Sequence, residues 1–163
     1  MLKMKTSMGD IEIELDEKNA PVTVGNFLKY VETGHYNGSI FHRVIDGFMI
    51  QGGGFDESFR QLPTMPPIIN EADNGKKNIK GSLAMARTSE VNSATAQFFI
   101  NVADNDFLDH RDKTPQGYGY CVFGQVVKGM DVIDKIKKVP TARRAPHDDV
   151  PVKNVKIISV EKI

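Results

Sequence analysis

The sequence predicts a mainly β protein, a closed or nearly closed antiparallel β-barrel with two α-helices. Three observations predict this fold. Many short apolar runs are separated by glycine, asparagine and aspartate. One run alternates strictly between apolar and charged residues, as a strand with one wet face does. Only two stretches have helical spacing, and closing the remaining strands into a barrel removes exposed sheet edges.

The N-terminal elements are the clearest. Ile11, Ile13 and Leu15 alternate with acidic residues, and Gly9 predicts a turn from an earlier strand at 2–6. Pro21 then begins a helix, because proline fits the first helical turn. The helix has an apolar stripe with i, i+3, i+4, i+7 spacing and ends near glycine 34; the stripe consists of Val24, Phe27, Leu28 and Val31.

The rest of the chain predicts further strands and one short helix. Residues 55–80 contain three prolines and an Asn-Gly pair, so we expect a surface loop there. Asp131 near an N-terminus and an apolar side at 132–136 predict a helix after Gly129. The predicted strands are 40–45, 48–51, 82–86, 97–102, 120–127 and 155–160.

Composition limits the class of protein. A chain of 163 residues suffices for one domain, so we expect a single domain over residues 1–163. Lys plus Arg equals Asp plus Glu, 21 against 21, which argues against nucleic acid or an anionic membrane as the main partner. One cysteine, and no signal-peptide or membrane-spanning pattern, indicate a cytoplasmic protein.

Several common chemistries lack support. The four histidines have no metal-binding spacing, and the triple glycine at 52–54 matches no phosphate-binding motif, so we expect no metal and no cofactor. Cys121 lies in a β run and is interpreted as packed rather than nucleophilic. The basic cluster at 137–144 is followed by two aspartates and is interpreted as a solvated face.

Arg43 is the unusual residue, because it stands in a β run among large apolar side chains. Such an arginine costs desolvation unless it is paired or faces a groove, and periodicity alone favours an edge arginine exposed to water. The surrounding segments are more specific. Together, in this order, they resemble the cyclophilin family of peptidyl-prolyl cis-trans isomerases, in its compact cytosolic bacterial branch: FHRVI, GFMIQGG, SLAMAR, AQFFIN, FLD and YCVFGQVV.

The resemblance implies an eight-stranded closed antiparallel barrel capped by two α-helices, with a filled interior and an outer groove. It implies isomerisation of X-Pro bonds in proline-containing peptides and in unfolded or flexible protein segments, by a monomer without a cofactor. Arg43 would be catalytic, with Gln51 beside it. Backbone groups at Ala86 and Arg87 would hold the residue before proline. The proline pocket would be Phe48, Met49, Phe99 and Leu108, with Gln97, Phe107 and Tyr120 along its rim.

Three positions depart from the best-known eukaryotic members. Phe107 stands in place of a tryptophan, Tyr120 in place of a histidine and Arg87 in place of an asparagine. Backbone contacts survive such changes, so we expect activity to persist. Cyclosporin uses the indole N–H of that tryptophan, so we expect only weak cyclosporin binding.

The 46–48 turn decides whether this site can form. A two-residue Asp46-Gly47 hairpin would pair Arg43 with Ile50 and separate it from Gln51. A three-residue connection, 46–48, pairs Arg43 with Gln51 instead and commonly has a left-handed glycine. We predict the second register.

Three functions remain open. The first is the isomerase. The second is a proline-peptide-binding chaperone module without significant turnover, which would not need the arginine donor. The third is a small-molecule carrier, which would need a hollow barrel.

Overall fold

The computed structural model describes residues 1–163. It contains ten strands, two α-helices and two 3₁₀ turns. The strands are β1 Leu2–Thr6, β2 Gly9–Leu15, β3 Arg43–Ile45, β4 Met49–Gly52, β5 Ser82–Met85, β6 Phe98–Asn101, β7 Val122–Lys128, β8 Thr141–Arg144, β9 His147–Pro151 and β10 Ile157–Lys162. The helices are α1 Pro21–Glu32 and α2 Met130–Ile136, and the 3₁₀ turns are Ala72–Asn74 and Asp106–Leu108.

Eight strands form one antiparallel sheet in the order β10-β1-β2-β7-β5-β6-β4-β3. Its two edges, β10 and β3, are joined through the segment that precedes β3. Gly38 donates to the Ile157 carbonyl at 2.8 Å, Ile157 donates to Ser39 at 2.7 Å, and Phe41 donates to Val155 at 2.9 Å. The mainly β barrel is therefore confirmed, with a seam closed by a few backbone bonds rather than by a continuous strand ladder.

Both predicted helices form. Pro21 occupies the first turn of α1, and the helix buries Val24, Phe27 and Val31 against the barrel. In α2 the buried side is Val132, Ile133 and Ile136. Neither helix is long and apolar enough to cross a bilayer.

The barrel interior is filled. Its core is one cluster of 30 buried residues, in which Phe27 packs on Tyr36 at 4.9 Å, on Phe123 at 5.0 Å and on Phe98 at 5.6 Å between ring centroids. In a hollow barrel these side chains would line an empty space instead of packing against one another. The carrier hypothesis is therefore wrong.

Apart from shifts of one or two residues at strand ends, the structure differs from the predictions in three places. The run predicted at 40–45 becomes a strand only at Arg43, because residues 38–41 form the seam with residues 155–157. The hairpin of β8 and β9 was not predicted, since all four side chains of β8 are exposed and have no alternation to detect. Within the predicted loop 55–80 lies the 3₁₀ turn Ala72–Asn74.

Candidate active site

The β3–β4 hairpin has the predicted register. Arg43 pairs with Gln51 and Ile45 with Met49, so the connection is the three residues 46–48. The Phe48 N–H donates to the Ile45 carbonyl at 3.1 Å, and Gly47 has φ +80°, the left-handed conformation that glycine adopts without strain. Because paired residues point to the same side of a sheet, Arg43 and Gln51 share one face.

Alternation along β6 separates the site from the core. Phe98 and Ile100 point inward and belong to the 30-residue core. Phe99 points outward and belongs to a second, smaller cluster of five buried residues: Met49, Ala84, Phe99, Leu108 and Val122. The site is thus built on the outer wall of the barrel, with its own apolar floor.

A cavity of about 160 Å³ opens above this floor. Nine residues line it, all of them among the predicted site residues: Arg43, Phe48, Met49, Gln51, Ala86, Arg87, Phe99, Leu108 and Tyr120. The two other predicted residues lie just outside. Gln97 touches the site through a hydrogen bond with Gln51, and Phe107 is 63% exposed with its ring on that of Phe48, 5.7 Å between centroids.

The guanidinium of Arg43 is exposed at the cavity. Its Nη1 donates to Gln51 Oε1 over 3.5 Å, longer than the usual range of about 2.7–3.2 Å. It forms no ion pair with any carboxylate. Most of its N–H groups therefore remain available to a ligand.

Gln97 determines which way the Gln51 amide faces. Gln51 Nε2 donates to Gln97 Oε1 at 2.9 Å, which turns the Gln51 carbonyl oxygen toward Arg43. Gln97 in turn lies directly over Gly54, where an added Cβ would come within 2.5 Å of its side chain. Only a residue without Cβ at 54 allows this packing.

The side chain of Arg87 has partners that the sequence did not predict. Nε donates to Gly119 O at 3.0 Å, Nη1 to Thr88 O at 2.9 Å and Nη2 to Pro115 O at 3.2 Å. The guanidinium also lies 4.8 Å from the centre of the Tyr120 ring. Arg87 thereby fixes one wall of the cavity to the 115–120 loop.

A buried asparagine network behind the cavity was missed as well. Asn105 Nδ2 donates to the Phe48 carbonyl at 2.9 Å and to Asn101 Oδ1 at 2.8 Å. Asn101 Nδ2 donates to Asn78 Oδ1 at 3.1 Å, and Asn78 Nδ2 donates to the Tyr120 carbonyl at 3.4 Å. The network ties together the segments that carry Phe48 and Tyr120. The sequence contains one indication of this network, since Asn101 directly follows the apolar run FFI. An amide that is buried there needs hydrogen-bond partners.

Two titratable groups lie near the site without facing the cavity. His42, next to Arg43, is buried between Phe55 and His147, and its Nδ1 makes no hydrogen bond. Burial, and then the charges of His147 and Arg43, lower the pKa of His42 to about 4. Cys121 is buried as predicted, and burial raises the pKa of its thiol to about 11.

Comparison with known proteins shows that the chain is similar in sequence to one family. The family model described as cyclophilin-type peptidyl-prolyl cis-trans isomerase/CLD matches residues 1–162. Peptidyl-prolyl cis-trans isomerase B of Escherichia coli is 58% identical over 160 residues, covering 98% of both chains. An isomerase of Streptomyces antibioticus is 56% identical, covering 98% of this chain and 96% of the relative.

Solved structures show the same architecture. A Cryptosporidium parvum cyclophilin-type isomerase, crystallised in the presence of the dipeptide Ala-Pro, superposes with a TM-score of 0.76 at 26% identity, covering 98% of this chain and 96% of that one. A cyclophilin of Hirschia baltica, 23% identical, has the same fold with a TM-score of 0.75 over 98% of this chain and 72% of that one.

Proposed function

This chain belongs to the cyclophilin-type peptidyl-prolyl cis-trans isomerase family, and we propose that it isomerises X-Pro bonds with the Arg43 guanidinium as donor to the prolyl nitrogen. One observation carries the proposal: an exposed arginine without an acidic partner stands at the edge of an apolar cavity. The substrates are proline-containing peptides and flexible protein segments. A structural neighbour crystallised with Ala-Pro supports this substrate class.

The reaction explains why an arginine suffices. Rotation about an amide faces a barrier of roughly 18–20 kcal/mol, and free prolyl bonds exchange in roughly 10–100 s. As the bond twists, resonance is lost and the prolyl nitrogen gains a localised lone pair. A donor aimed at that nitrogen binds the twisted state better than either planar state. One such donor stabilises the transition state by about 2.7–4 kcal/mol, on the order of 10²–10³ in rate.

The other groups of the site hold the substrate. Phe48, Met49, Phe99 and Leu108 form the apolar slot that keeps the pyrrolidine ring still. The Ala86 N–H is already donated to the Gln97 carbonyl at 3.0 Å, whereas the Ala86 carbonyl and the Arg87 N–H have no partner within the protein. These two backbone groups are suited to pair with the residue before proline.

The proposed reaction requires only the residues of this chain. No bond breaks, so no nucleophile or cofactor is required. The cavity is complete within one chain, which supports a monomer. The core draws on residues from Leu2 to Val160, which supports a single domain over 1–163. A cytoplasmic location stays a prediction.

The test is cis-trans exchange of a proline tetrapeptide measured by NMR line shapes. We expect Arg43→Ala to lower the exchange rate by about 10²–10³ with an unchanged fold. Arg143→Ala is the matched control, since Arg143 is exposed on β8 and does not line the cavity. Equal rates for wild type and Arg43→Ala would refute the donor role. Tight binding by a wild type without turnover would favour the chaperone module.

A further inference from the structure

The charge of the cavity differs from that of the whole chain. The chain balances 21 basic against 21 acidic residues. Among the nine residues that line the cavity, two are arginines and none is acidic. Neither Arg43 nor Arg87 forms an ion pair. Two uncompensated cations beside an apolar floor favour a ligand that carries negative charge.

Arg87 is the arginine that can bind a negatively charged group of the substrate without taking part in the rotation of the prolyl bond. Its three hydrogen bonds to backbone carbonyls and its place on the Tyr120 ring hold the guanidinium still. Three of the five N–H groups of an arginine are thereby used, and two remain. Because the guanidinium is already ordered, binding a carboxylate costs only the conformational entropy of the substrate side chain that carries it.

We propose that Arg87 is a specificity-determining residue that favours substrates with a carboxylate side chain in the two residues before the proline. The proposal rests on the proposed function, in which Ala86 and Arg87 hold that part of the peptide. The Arg87 guanidinium has no acidic partner within the protein, so its charge is available to a substrate side chain. A carboxylate there gains a charge-assisted hydrogen bond, whereas a lysine at the same place meets two positive charges.

The experiment compares tetrapeptides that differ in one residue. Glu, Gln or Lys is placed one or two residues before the proline, and both the Kd and kcat/KM are measured for each peptide. At low salt we expect the Glu peptide to exceed the Gln peptide by about two- to fivefold at one or both positions. The Lys peptide should be the weakest. Raising NaCl from about 20 mM to about 500 mM should bring the ratio toward one, because salt screens partly exposed charges.

Variants assign the effect to one residue. The readout is the Glu-to-Gln ratio within each enzyme, which cancels any uniform loss of activity. Arg87→Gln should bring the ratio close to one, and Arg87→Lys should keep part of it. Arg143→Gln lowers the net charge equally at a residue outside the cavity and should keep the wild-type ratio.

Two outcomes overturn the inference: equal Kd values for Glu and Gln peptides with wild type, or an unchanged ratio in Arg87→Gln. Both can be read from binding alone. Absence of turnover with any peptide would instead refute the isomerase proposal, so the two failures are distinguishable.

Discussion

Arg43 and Gln51 face each other across the β3–β4 hairpin, yet the 3.5 Å between Nη1 and Oε1 makes only a weak hydrogen bond. The pairing fixes the two side chains on one face, while the long contact leaves the guanidinium available. The stronger bond of Gln51 is to Gln97, at 2.9 Å. Gln51 is thus oriented from one side so that its carbonyl oxygen can face the arginine on the other.

This orientation predicts a positioning role for Gln97. Gln97→Ala frees the Gln51 amide to turn, and we expect kcat/KM on a proline tetrapeptide to fall by about two- to tenfold, the worth of one neutral hydrogen bond. Gly54→Ala should act in the same direction, because its Cβ would displace the Gln97 side chain. Gln125→Ala, at an exposed position on β7, is the control.

A purely structural effect of Gln97→Ala would lower the stability of the protein without changing the hydrogen bonding of the Gln51 side-chain amide. The side-chain amide signals of Gln51 in ¹⁵N NMR spectra should therefore shift in Gln97→Ala. Unshifted signals together with wild-type kcat/KM would contradict the positioning role.

The side chain of Phe107 leads to a prediction for the affinity of cyclosporin. Its ring is 63% exposed and packs on Phe48, and it has no N–H to donate. We expect Phe107→Trp to tighten cyclosporin binding by about two- to tenfold, as one added hydrogen bond would. Isothermal titration checks this, with Phe107→Leu as the control that adds no donor. Wild-type affinity as high as that of Phe107→Trp would show that the indole is dispensable.

The asparagine network predicts a stability effect. Asn101 is fully buried, and its Nδ2 also donates to Ser82 Oγ at 2.9 Å. Asn101→Ala removes one hydrogen-bond partner from each of Asn78, Ser82 and Asn105, and we expect the free energy of unfolding, measured in urea titrations, to fall by about 1–3 kcal/mol. Asn154→Ala, at a surface position, should stay within about 0.5 kcal/mol of wild type. Equal losses in both variants would mean that the network adds no stability.

His42 predicts a pH dependence of stability. Burial lowers the pKa of His42 in the folded protein to about 4, against 6.5 in the unfolded chain. Between these values the unfolded state binds more protons, so stability is fully present above pH 6.5 and falls as the pH decreases toward 4. The slope approaches about 1.4 kcal/mol per pH unit. His35, whose pKa is also lowered by burial, adds in the same direction.

Urea unfolding at several pH values checks this. Phe fits the aromatic surroundings of residue 42, so His42→Phe should fold and show a shallower slope between pH 4 and 6.5. Parallel curves for wild type and His42→Phe would mean that another group causes the acid sensitivity.

The sequence by itself determined the features that follow from local periodicity. Alternation in FFI set Phe99 apart from Phe98 and Ile100, and the length of the 46–48 turn brought Arg43 opposite Gln51. These are relationships between neighbours on one strand or across one hairpin. A one-residue change of register would reverse every side chain, so the pattern specifies them strongly.

Only the tertiary structure decided the partners of the polar side chains. Arg87 reaches Pro115 and Gly119, 28 and 32 residues away, and Asn78 reaches the Tyr120 carbonyl, 42 residues away. Strand β8, whose four side chains are all exposed, likewise has no apolar alternation that would predict it. A polar group that becomes buried on folding pairs with a complementary group from a distant part of the chain that folding brings near it. No local spacing in the sequence indicates which group that is.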